Sequence, residues 1–179
     1  MRQSLLSVAT CSLALVAGAT LAAASPMTAT AKLTAKAGSN VSGTIVFTES
    51  TDGGLTWSPL ARIDKSPDDV QVFTPSVHVA SDGTVGVSYY DFRNNTPAPG
   101  LPTDQWLIHC HPTSACTSPA NWAENHVYGP FDIENAATAG GYFLGDYEGL
   151  DSIGTTFTSF FSATTATDKD NTYLATISP

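Results

Sequence analysis

Apolar and polar positions alternate with a period of two over most of the chain, in runs rich in Val, Ile, Thr, Tyr and Phe that end at Gly, Pro, Asn and Asp clusters. Such runs predict short antiparallel β-strands joined by tight turns. No stretch carries the 3.6-residue apolar period of a helix. Residues 44–63, TIVFTESTDGGLTWSPLARI, read as a hairpin with a polar turn. Residues 107–127, LIHCHPTSACTSPANWAENHV, read as a degraded copy of it. Between them PSVHVASDGTVGVSYYDFR predicts another hairpin, whose reversal is Ser81-Asp82-Gly83. The theme continues in GGYFLGDYEGL, TTFTSFFSATT and NTYLATIS.

The first residues break this pattern. Arg2 precedes an apolar run from Leu5 to Leu21, and Ala22-Ala23-Ala24 and Ala29-Thr30-Ala31 each fit a small-residue cleavage pattern. Residues 1–31 are therefore expected to be a secretory leader with its cleavage region, and residues 32–42 a short linker or edge strand. The apolar run is broken by Ser, Thr and Gly and falls short of the roughly 20 residues a membrane span needs, so no membrane association is expected after cleavage.

Seven Lys plus Arg stand against sixteen Asp plus Glu, for a net charge of −9. The cations are too scattered to form a phosphate-binding stripe, which argues against nucleic acid as a partner. In an oxidising compartment Cys110 and Cys116 are expected to form a disulfide, while Cys11 leaves with the leader. A metal alternative uses His109 and His111, which flank Cys110. On a strand, however, the two histidines share one face and Cys110 points to the other.

Ser50-Thr51-Asp52-Gly53-Gly54-Leu55-Thr56-Trp57 matches the pattern S-x-D-x-G-x-T-W. Its chemistry is local: the Asp52 carboxylate can accept turn N–H groups, Gly54 can take positive φ, and Trp57 can pack beneath the hairpin. This pattern is similar to the Asp-box of sialidases and other β-propellers. Pro75 to Arg93, Gly129-Pro130-Phe131-Asp132 and Phe143-Leu144-Gly145-Asp146-Tyr147-Glu148-Gly149-Leu150 resemble the same sialidase-like superfamily. The resemblance implies an all-β partial propeller over 43–179: a half blade at 43–64 with the Asp-box (Ser50, Asp52, Gly54, Thr56 and Trp57 in structural roles), a full blade at 75–129 and a three-stranded last blade at 141–177. About nine strands make roughly two to two and a half of an expected six blades, too few to close a ring. Lys32 to Gly38 is the one stretch placed to donate the strand that the last blade lacks.

The resemblance implies a secreted exo-α-sialidase-type glycoside hydrolase acting on glycans, in an incomplete form that is not catalytic by itself. A non-catalytic module binding glycans or proteins is the alternative. Such sialidases grip a carboxylate with three arginines, which needs bidentate guanidinium donors; after cleavage only Arg62 and Arg93 remain. Arg62-Ile63-Asp64 reads as surface. Asp91 and Arg93 share a strand face and would form either an exposed strand-end ion pair or part of an axial pocket. Asp146, Tyr147 and Glu148 are the remaining catalytic candidates, although neighbours on a strand point to opposite faces. Asp146 and Asp151 are candidate calcium ligands, and no other cofactor is expected. The histidines form no catalytic set, Trp57 and Trp122 are expected in the core, and Trp106 is open to stacking on a sugar. Open sheet edges offer a route to self-association.

Overall fold

The alternation written into the sequence becomes strand after strand. The structure is a computed structural model and describes residues 28–35, 43–145 and 148–179. The expected leader through residue 27, residues 36–42, and Asp146 and Tyr147 lie outside the described residues. In chain order the strands are β1 (Thr28–Ala35), β2 (Gly43–Ser50), β3 (Ala61–Arg62), β4 (Val72–Val79), β5 (Val85–Asp91), β6 (Pro102–Cys110), β7 (Ala123–Asp132), β8 (Ala137–Thr138), β9 (Tyr142–Phe143), β10 (Gly149–Ile153), β11 (Thr156–Ala163) and β12 (Asn171–Ile177). They form sheets ordered β1-β2-β3, β4-β5-β6-β7, β8-β9 and β10-β11-β12, and none of them closes. The protein is thus all-β, with every pairing among the described residues antiparallel.

The central meander β4–β7 separates the other two large sheets. All of β5 is buried, because its two faces meet different partners. Val85, Val87 and Tyr89 join Ile45 and Phe47 of β2, together with Ile63, Ile108 and Trp122. On the opposite face Tyr90 packs with Phe131, Leu144 and Phe161. Phe157 and Ile177 close over Leu107. Burying a side chain such as Phe47 or Phe157 contributes about 1.5–3 kcal/mol. Gly86 makes the second contact possible: a Cβ there would lie 2.5 Å from the Phe157 ring.

Several expectations change. The 43–64 hairpin returns through only two residues of β3, because the connection after Ser50 is long and carries Pro59. The 141–177 region divides, because β9 pairs with β8, which lies before residue 141, while β10, β11 and β12 form a separate sheet. The N-terminal strand runs from Thr28 to Ala35 and pairs with β2, from Thr28↔Ser50 to Ala35↔Gly43, and not with the last sheet. A neighbour in sequence closes a short loop at small entropic cost, whereas the last sheet lies over a hundred positions away. Residues 28–31, expected to leave with the leader, are part of this strand.

Candidate functional site

The Asp-box turn is built from its own side chains. The Ser50 hydroxyl accepts from the Gly54 N–H at 2.8 Å and donates to Asp52 at 2.8 Å. The Asp52 carboxylate accepts from the Thr56 N–H at 2.9 Å and the Thr56 hydroxyl at 2.5 Å. Those donors, the Thr56 hydroxyl first, hold the Asp52 carboxyl down at about 2. Gly54 sits at φ +91, a conformation that favours glycine. Trp57, expected in the core, is instead 44% exposed. Its indole N–H donates to the Gly54 carbonyl at 3.2 Å, so the ring is folded onto its own turn, beside solvent. Trp122 takes the buried role against Phe47, with ring centroids 5.0 Å apart.

At the end of β5 the sequence places Asp91 and Arg93 on one strand face, and the tertiary fold covers them. Asp91 is fully buried, which corrects the exposed strand-end reading. The Arg93 guanidinium donates through Nε to Asp91 at 2.5 Å. Its other nitrogens donate to Glu124 at 2.6 and 3.0 Å, to the Tyr89 hydroxyl at 3.1 Å and to the Ser66 hydroxyl at 3.4 Å. The guanidinium carbon lies 3.8 Å from the centroid of the Trp106 ring. The Trp106 N–H donates to Asp91 at 2.9 Å, the Ser66 hydroxyl to Asp91 at 2.5 Å, and the Tyr89 hydroxyl to Glu124. Burial works against the Arg93 charge, but hydrogen bonds to Glu124 and Asp91 outweigh it and raise its pKa above the ordinary value. Burial, then Glu124, pushes the Tyr89 phenol up.

Two carboxylates and one guanidinium leave this cluster negative, with every arm of Arg93 in use. Trp106, thought open to a sugar, is occupied by Arg93 and by the His126 ring, whose centroid lies 4.7 Å away. His126 in turn meets the buried Asp104 at 2.7 Å. Arg62-Ile63-Asp64, read as surface, is drawn inward. Ile63 is fully buried, and Asp64 accepts from the Thr44 hydroxyl, the Ile45 N–H and Arg62. Arg62 also pairs with Asp68.

The third region lies on the other face of β5. Both carboxylate oxygens of Glu148 are buried without a hydrogen bond. Burial, reinforced by Asp170, lifts the Glu148 carboxyl to about 7, and the nearby Tyr90 hydroxyl and Ser162 backbone only partly oppose it. The Tyr90 hydroxyl is committed to Ser162, donating to its carbonyl at 2.7 Å and accepting from its N–H at 3.2 Å. Burial, then Glu148, raises the Tyr90 phenol, the reverse of what activates a nucleophile. Asp151 is exposed and reaches His78 at 3.3 Å. Ser152 meets the same His78 nitrogen at 3.0 Å, so these three form no relay across the imidazole. Among the described residues no group of three or more His, Cys, Asp or Glu converges on a metal position.

Cys110 and Cys116 form the disulfide. Of the sequence candidates, the fold joins Asp91 to Arg93 and leaves Glu148 and Asp151 apart from them. No local motif singles out Glu124, Tyr89 or Ser66 in the sequence. The one available signal was that Tyr89 stands two residues before Asp91, on the same strand face. Comparisons with protein-family models, with curated proteins and with solved structures find no match to this chain.

Proposed function

We propose that this chain is a secreted, sialidase-like β-propeller portion that does not itself cleave glycosides. Its three large sheets act as stacked blades, with the Asp-box turn between β2 and β3. One observation carries the reading: the two arginines among the described residues, Arg62 and Arg93, are both consumed by internal carboxylates. A sugar carboxylate would meet no free guanidinium there and would face the negative charge of Asp91 and Glu124. The disulfide accords with an oxidising compartment. A fluorogenic sialoside assay on the purified, monomeric chain is expected to give no turnover above background, and robust turnover would overturn the proposal.

A non-catalytic binding role is the second reading. Leu55, Trp57 and Leu60 are exposed together along the Asp-box connection, on a turn stiffened by Ser50 and Asp52. A glycan or protein partner there should lose affinity in Trp57→Ala. Phe160 and Leu174, paired across β11 and β12 and both exposed, make self-association through the last sheet the other expectation. Size-exclusion chromatography of wild type against Leu174→Lys checks it.

A further inference from the structure

We infer that His109 and His111 form a two-histidine binding site for a divalent transition metal, at the end of β6 opposite the disulfide. The two rings stand edge to face with centroids 5.3 Å apart. Two imidazoles bound to one zinc, with Zn–N bonds of about 2.0–2.1 Å at a tetrahedral angle, bring their ring centres to about 5 Å. The centroid separation of the pair matches that of two imidazoles sharing one ion.

The hydrogen bonds select the tautomer. The single proton of the Thr84 hydroxyl goes to Asp82 at 2.9 Å. The same oxygen lies 3.2 Å from His111 Nδ1, so it acts there as acceptor and Nδ1 carries the hydrogen. The lone pair is left on His111 Nε2, and His111 is exposed. Asp82 is itself held by the Thr84 N–H at 2.9 Å, which completes an Asp82–Thr84–His111 chain like the outer partners that orient metal-bound histidines. His109 is 6% exposed. Its Nδ1 is buried without a hydrogen bond, as is the Asn125 side-chain oxygen, and the Asn125 side chain is its polar neighbour. Nε2 is thus the nitrogen left to His109 for a metal.

The platform is stiff. His111 lies inside the loop closed by Cys110 and Cys116, and its carbonyl accepts from the Ser114 N–H at 2.9 Å. Since Cys110 is spent in the disulfide and, among the described residues, no third His, Cys, Asp or Glu joins the pair, water would fill the remaining positions. Paired imidazoles with water favour Zn2+, Ni2+ or Cu2+ over Mg2+ or Ca2+.

Isothermal titration of the mature chain, made without a histidine tag, tests the site with Zn2+ alone and with Mg2+ alone. One Zn2+ per chain and no Mg2+ binding are expected. His111→Gln should weaken Zn2+ binding by well over ten-fold, and Thr84→Val, which keeps His111 but removes its acceptor, by about ten-fold. His126→Gln should leave it unchanged. Amide NMR of the wild type covers the case in which a variant misfolds: Zn2+ should shift residues around His109, His111 and Thr84. No 1:1 binding, binding unaltered in His111→Gln, or shifts centred elsewhere would each overturn the assignment.

Discussion

The two faces of β5 treat buried charge in opposite ways. On the side of the β1–β3 sheet, Asp91, Arg93 and Glu124 come together with Tyr89, Ser66 and Trp106, and the guanidinium has a partner on every side. On the side of the β10–β12 sheet, Glu148 is covered with no donor among the described residues aligned to either oxygen. Both sites are largely buried, yet only the first is arranged to keep its charges. A buried ion persists where counter-charge and donors converge, and where they do not, the group moves toward its neutral form.

This contrast is most strongly tested on the satisfied side. Arg93→Met would strand Asp91 and Glu124 without their counter-charge, and breaking such a pair costs about 3–5 kcal/mol. Urea denaturation should show that loss, and adding Glu124→Gln to the variant should recover part of it. A loss below about 1 kcal/mol, the range of a solvent-exposed pair, would mean that the cluster is surface-like.

On the other face the effect runs with pH. The Glu148 carboxyl rises from 4.5 to about 7 in the fold, so folding favours its protonated form. The stability linked to this group is fully present below pH 4.5 and is lost as pH rises through 7, by on the order of 2 kcal/mol after allowance for partial exposure. Thermal unfolding between pH 4.5 and 8 should show the decline, and Glu148→Gln should flatten it. A variant that keeps the slope would assign it to another group.

Away from both faces, replacing Cys110 and Cys116 together by Ser removes a short cross-link whose loop entropy is worth about 2 kcal/mol. The loss should appear equally at acid and neutral pH in chemical denaturation, which separates it from the Glu148 effect. The smallest change is expected at the Asp-box. Asp52→Asn should speed amide exchange and proteolysis within 50–57 while the global melting temperature barely moves. The Asp52 carboxyl lies at about 2 in the fold, so its contribution is present above its ordinary value near 3.8 and fades only as pH falls toward 2.

Much of the strand pattern is legible in the sequence. The alternation in VGVSYYD marked β5, Ser81-Asp82-Gly83 marked the reversal before it, and the four-stranded meander falls close to the expected 75–129. The Asp-box bonds were readable for the same reason, since every partner of Asp52 lies within four residues. The site was less legible. Asp91 and Arg93 stood out, but Glu124 reaches Arg93 across 31 positions. No local pattern announces that a solvent-like Glu on an alternating strand will turn inward. Trp57 shows the same limit from the other side: the motif implies a core role, whereas among the described residues the ring folds onto its own turn and stays at the surface.

By itself, then, the sequence determined what depends on near neighbours: strand periodicity, turn chemistry, and a disulfide between cysteines a few residues apart. Tertiary structure alone decided which sheet β1 would join, that Arg93 would be walled in by carboxylates, and that Glu148 would be left without a donor. The physical reason is range. Backbone conformation answers to side chains a few positions away, whereas the state of a charge is set by whatever the rest of the chain brings over it.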